Sequence, residues 1–219
     1  MSLFRLVDAD FIINLVRTLT LINEQGFEDE ITEKLIFNEK FSLISTPEVK
    51  NEVSEVLFRE SPRKDFDGYF LRKQKELKQI NKKVMANIRI LPIDKNCRLT
   101  QLLSSTSLKN MGEKSLVILL FCKYNSMLQN NNDRIQIVSN NQKDVLALLK
   151  KANKLIGRPD QYIDEETLIQ TNFEFYYELF TRLKIQKDLI YYFYFVSNID
   201  ARYYDKEMIE IFQKIRQYR

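Results

Sequence analysis

Four short apolar runs, FRLV, FSLIST, NIRILPID and IQIVSN, punctuate this chain, and between them lie segments whose apolar residues recur at helical spacing. After FRLV comes DFIINLVRTLTLIN, with Phe11, Ile12, Leu15, Val16, Leu19 and Ile22 on a helical period. FEDEITEKLIFNEK reads as a second helix with acids in its first turn. FSLIST runs into Thr46 and Pro47, an N-cap followed by a proline at the first helical position, which starts a helix at PEVKNEVSEVLF. LTQLLSSTSLKN reads as a short helix, GEKSLVILLFCKYNSML as a strongly apolar one, and QKDVLALLKKAN as the helix after IQIVSN. Strands alternating with helices predict an α/β fold, a parallel sheet covered on both faces. With 219 residues, 44% of them hydrophobic, the chain is long enough to bury the core such a sheet needs.

Several chemistries are closed to it. The sequence contains no histidine, which removes Ser-His-Asp and Cys-His nucleophiles, histidine zinc sites and nucleases with a histidine base. Its four glycines are scattered, so it has neither a GxGxxG turn nor a GxxxxGK[ST] phosphate cradle. Cys97 and Cys122 are too few for a zinc site or a disulfide framework and read as reduced thiols in or near the core. MSLFRLVDADF lacks the features of a secretory signal, and no stretch offers the roughly 20 apolar residues of a membrane span, so a cytoplasmic protein that does not engage a membrane is expected. The formal net charge of +4 allows a local grip on polyanions without demanding one.

Carboxylates must then carry any chemistry, and their placement is suggestive. Ligands of open parallel sheets bind at the carboxyl ends of the strands. Asp8 stands there after FRLV, with Asp10 two residues on; Glu52, Glu113 and the group Asn140, Asn141 and Asp144 reach the same edge. Two carboxylates about 4 Å apart repel by roughly 1 kcal/mol in water and more near a protein surface. A divalent cation relieves that repulsion, and oxygen-only donors select hard ions, Mg²⁺ or Mn²⁺. Each residue also has an ordinary structural use: Asp8 as a helix cap, Glu52 as a surface charge, Glu113 as a favourable first-turn acid, and the asparagines as turn formers.

In this arrangement the chain resembles the PIN domain ribonucleases, best represented by toxins of bacterial toxin-antitoxin pairs. LVDADFII resembles the family's opening strand, STPEVKNEV its second motif, MGEKSLVILL its third and IQIVSNNQKD its fourth. The resemblance covers about residues 3 to 150 and departs at the fourth motif, where Asn140 and Asn141 replace the usual aspartates. It implies a PIN-like domain over residues 1–158 with a basic helical insertion at about 60–85; residues 159–219 find no counterpart in the family and read from their own pattern as a helical C-terminal extension. It further implies a metal-dependent endoribonuclease acting on single-stranded or structured RNA, as a toxin or a defence or RNA-processing component. Asp8, Glu52 and Glu113 would be catalytic and, with Asn141 and Asp144, would bind Mg²⁺ or Mn²⁺. Asp10, Ser115, Ser139 and Asn140 would support the site or position substrate. An antitoxin or complex subunit and a second copy of the chain are the implied protein partners.

The insertion RKDFDGYFLRKQKELKQINKKV predicts an amphipathic helix whose Arg72, Lys73, Lys75, Lys78, Lys82 and Lys83 form an RNA-binding face or a merely solvated one. The aromatic tail, FEFYYELF and LIYYFYFV, is expected to be helical throughout from about Ile163 and to pack on the sheet domain or a partner rather than stack bases. Two other readings stay open. One is a catalytically silent PIN-like RNA-binding or scaffold protein, favoured by the asparagines. The other is a response-regulator receiver, which lacks a convincing phosphoacceptor aspartate and lysine here.

Overall fold

The computed structural model describes residues 3–23, 41–58, 67–94, 96–97, 99–100, 111–127, 134–156 and 168–172, with 174, 175, 178, 192, 193 and 196. In chain order the elements are β1 (Leu3–Val7), α1 (Ala9–Asn23), β2 (Phe41–Ser45), α2 (Pro47–Leu57), α3 (Asp67–Arg72), α4 (Gln74–Ala86), β3 (Arg89–Ile90), α5 (Met111–Met127), β4 (Arg134–Val138), α6 (Gln142–Ile156) and β5 (Ile169–Gln170). The strands form one sheet in the order β3-β2-β1-β4-β5, and every pair is parallel. This is the α/β fold that the alternating pattern predicts, and it is consistent with a PIN-like sheet. The predicted helices at FEDEITEKLIFNEK and over most of LTQLLSSTSLKN lie outside the described residues.

β1 is central, with Leu3 to Leu6 opposite Phe41 to Ile44 on one side and Leu3 to Val7 opposite Arg134 to Val138 on the other. Leu6, Val7, Ile44, Ile137 and Val138 are buried between the helical layers. α1 hides most of its surface, and its buried Thr18 and Thr20 satisfy their hydroxyls on the carbonyls of Asn14 and Val16. In α5 every residue from Lys114 to Leu120 is buried, the behaviour of a helix that is apolar all round. α4 turns Leu77, Ile80 and Val84 inward and packs on α1, as its amphipathic pattern predicts.

Three expectations need correction. NIRILPID yields only a two-residue strand: Leu91 N–H still donates to Ser45 O, but Pro92 has no N–H with which to continue the ladder. The tail is not helical throughout, because Ile169 and Gln170 add a fifth strand to β4; further on, Phe175, Tyr192, Phe193 and Val196 are helical and buried, as core packing requires. Cys97 and Cys122, both at the margin of the core, are joined as a disulfide rather than reduced. Such pairs are uncommon in a reducing cytosol.

Candidate functional site

The chain leaves β1 toward β2 and β3 on one side and returns to β4 and β5 on the other, so the strand order reverses between β1 and β4. At such a switch point the two carboxyl ends diverge and leave a crevice. Asp8 follows β1 directly into it. Its N–H donates to Val138 O, its Oδ1 accepts from Phe11 N–H at 2.9 Å, and its carboxylate accepts from the Ser139 hydroxyl at the end of β4. Asp8 therefore does cap α1, yet it is only 3% exposed and held from both strands.

Glu52 and Glu113 arrive on α2 and α5. A chain of hydrogen bonds ties the first turns of these helices together. Val49 N–H donates to Thr46 Oγ1, and the hydroxyls of Thr46 and Ser115 are hydrogen-bonded. Ser115 Oγ donates to Gly112 O at 2.6 Å, so its single proton is spent and Thr46 must be the donor between the two. Gly112 makes the approach possible: a Cβ there would stand 2.6 Å from Glu52 Oε2 and 3.4 Å from Val49 Cγ2. A side chain at position 112 would displace the Glu52 carboxylate. Ser45 secures the same edge by donating to Val7 O at 2.8 Å.

Past β4, Asn141 N–H donates to Ser139 Oγ, while Asn141 Nδ2 donates to Glu113 Oε1 at 3.0 Å and Asp144 Oδ2 at 2.9 Å. Asn141 thus turns its amide hydrogens, not its carbonyl, toward the acids. Asp10 is exposed and close enough to raise both Asp8 and Glu52. Asp8, Asp10, Glu52, Glu113, Ser115, Ser139, Asn141 and Asp144 are therefore linked in one neighbourhood. Asn140 is engaged elsewhere, its Oδ1 accepting from Asn172 N–H beyond β5. On α3 and α4, Arg72, Lys75, Lys78, Lys82 and Lys83 are exposed, whereas Lys73 is half-buried with its Nζ 3.8 Å from Glu76 Oε1.

Burial pushes the Asp8 carboxyl well above its ordinary range, and Asp10 and Glu113 add to the rise against the opposing hydrogen bonds from Ser139 and Phe11. Glu52 is raised by partial loss of water, then by Glu113, Asp10 and Glu55. An acid whose folded pKa is raised contributes stability that is complete below its unfolded value and lost as pH rises through the folded one. The metal-free protein should therefore lose thermal stability as pH rises above the ordinary carboxylate range. The Asp8→Asn variant should flatten that slope, and equal slopes in EDTA would contradict the assignment.

Among the described residues no three Asp, Glu, Cys or His side chains close around a single point. In donor chemistry the set fits a hard divalent ion, being oxygen-only and mutually repulsive.

One group was not legible in the sequence. Arg5, in the middle of β1, is fully buried, with Nη2 2.7 Å from Glu178 Oε2, Nε 3.3 Å from Gln170 Oε1, and its guanidinium 4.2 Å over the Phe175 ring. A charged residue inside an apolar strand was the available signal, but its partners lie more than 160 residues away.

Comparison with protein-family models, curated proteins and solved structures finds no match to this chain. Among the described residues no helix is long and apolar enough to cross a membrane. Fold and site together define an α/β protein with an acidic cluster at the switch point of a parallel sheet.

Proposed function

We propose that the chain is a metal-dependent endoribonuclease in which Asp8, Glu52 and Glu113 hold Mg²⁺ or Mn²⁺. The observation that carries this reading is the placing of carboxylates after β1 and on α2, α5 and α6 about one crevice, with Asp8 buried beside Asp10 and Glu113. When bound, the ion would lower the pKa of a water and polarise a phosphoryl oxygen. Asp8 contributes a fixed carboxylate whose direction is set by Phe11 N–H and the Ser139 hydroxyl. Glu113 is steadied by Asn141, and Glu52 is set by the close seating of α2 on Gly112. The exposed cations of α3 and α4 offer a sequence-independent hold on phosphates that weakens with salt. RNA is preferred as substrate because the four motifs resemble those of PIN ribonucleases in order and position.

A second reading, a silent RNA-binding protein of the same fold, is favoured by one observation: Asn141 presents N–H groups where the family has a carboxylate. The test is cleavage of an end-labelled unstructured RNA by the purified protein with Mn²⁺ or Mg²⁺. We expect cleavage that EDTA abolishes and that restored metal recovers. Salt-sensitive binding with no cleavage under any metal would overturn the enzyme and select the silent reading.

A further inference from the structure

Asn141 immediately precedes α6, and its carbonyl accepts the first helical bond, from Val145 N–H at 3.1 Å. From that position an asparagine ordinarily turns its side-chain oxygen onto the N–H of the second or third helical residue. Here the side chain does otherwise. Its two amide hydrogens are divided between Glu113 Oε1 and Asp144 Oδ2, carboxylates brought from the starts of two different helices. The opposite rotation of the amide would set its oxygen against two carboxylate acceptor oxygens, so donor chemistry fixes the orientation. The backbone N–H of the same residue donates to Ser139 Oγ, whose hydroxyl supports Asp8. A single residue thus contacts three of the groups that hold the acidic crevice together.

We propose that Asn141 is a positioning residue whose amide takes the place of a cation between Glu113 and Asp144, so that the crevice is assembled without metal and accepts one ion rather than two. The ion count rests on the nuclease reading; the amide bridge does not. A carboxylate at this position would remove both donors and add a third negative charge, leaving the cluster in need of a second cation.

The experiment compares the wild type, Asn141→Asp and the double variant Asn141→Asp/Asp144→Asn, each measured in EDTA and with Mn²⁺. In EDTA, Asn141→Asp should unfold several degrees below the wild type. The double variant, which restores both the charge count and an amide, should regain most of the loss. With Mn²⁺, the wild type should bind one ion by equilibrium counting, while Asn141→Asp should bind two and show the broadened electron paramagnetic resonance signal of a coupled pair. Equal unfolding temperatures in EDTA for the wild type and Asn141→Asp would overturn the bridge, and two ions in the wild type would overturn the ion count. A wild type that binds no Mn²⁺ would overturn the ion count together with the nuclease reading, while the measurements in EDTA would still decide the bridge.

Discussion

Under the proposed nuclease function, replacing Asp8 with Asn should reduce RNA cleavage by at least about 10³-fold, corresponding to about 4 kcal/mol of lost transition-state stabilisation, while leaving the protein folded. The substitution is conservative in shape. Asparagine can still accept from Phe11 N–H and so keep the cap of α1, and it can still meet Ser139 at the end of β4. What it removes is the one buried carboxyl among the described residues at the switch point, the group that would supply negative charge to a bound hard cation. Because burial and the neighbouring acids oppose ionisation of Asp8, the metal-free variant should be at least as stable as the wild type above the ordinary carboxylate range. Loss of activity with equal or greater stability is the signature of a residue kept for chemistry. Single-turnover rates in Mn²⁺, read beside thermal unfolding in EDTA, decide it; cleavage within tenfold of the wild type would place the reacting centre elsewhere.

The parts of the fold that were legible are those written in local periodicity. FRLV, FSLIST and IQIVSN became β1, β2 and β4 because their apolar runs are buried on both faces, and Thr46 followed by Pro47 began α2 as read. The acids were legible because each stands beside a strand end or in a helix next to one. β5 was not: two residues of an edge strand carry no period, and Ile169 and Gln170 lie beside a tail whose apolar spacing is otherwise helical. The link from Thr46 through Ser115 to Gly112 depends on where two helices meet, which spacing along the chain does not encode. The same holds for Cys97 and Cys122, which are separated by 25 residues and join the connection after β3 to α5. Asn141 was legible as a member of the site but not in its orientation, because a sequence names an amide without saying which end faces the acids.

The largest expected loss of stability lies away from the acids, at Glu178. Arg5 sits in the central strand with no exposure, and its cation is balanced by Glu178, whose Oε2 also accepts from Gln170 Nε2 at 3.0 Å. The Phe175 ring beneath the guanidinium packs in turn on Phe11 of α1, with centroids 5.1 Å apart. Removing the carboxylate in Glu178→Ala leaves a buried guanidinium short of its counter-charge, a defect that typically costs about 3–5 kcal/mol. Glu178 retains 21% exposure, so water can take part of its place and the lower end, about 3 kcal/mol, is expected. In a chain of this size that lowers the unfolding midpoint by roughly 6–12 °C. Arg5→Met, which withdraws the charge and keeps the length, should cost less, because replacing a buried charge with apolar volume is often nearly neutral. Combining Arg5→Met with Glu178→Ala should then cost less than Glu178→Ala alone, a non-additivity that a double-mutant cycle measures directly. Such a result would make β5 and the helical residues after it part of the sheet's own support, fastened through one arginine to the strand that ends in Asp8. A loss below about 0.5 kcal/mol for Glu178→Ala, the level of an ordinary surface change, would mean that the arginine is satisfied without this carboxylate and that the tail is held by its apolar contacts.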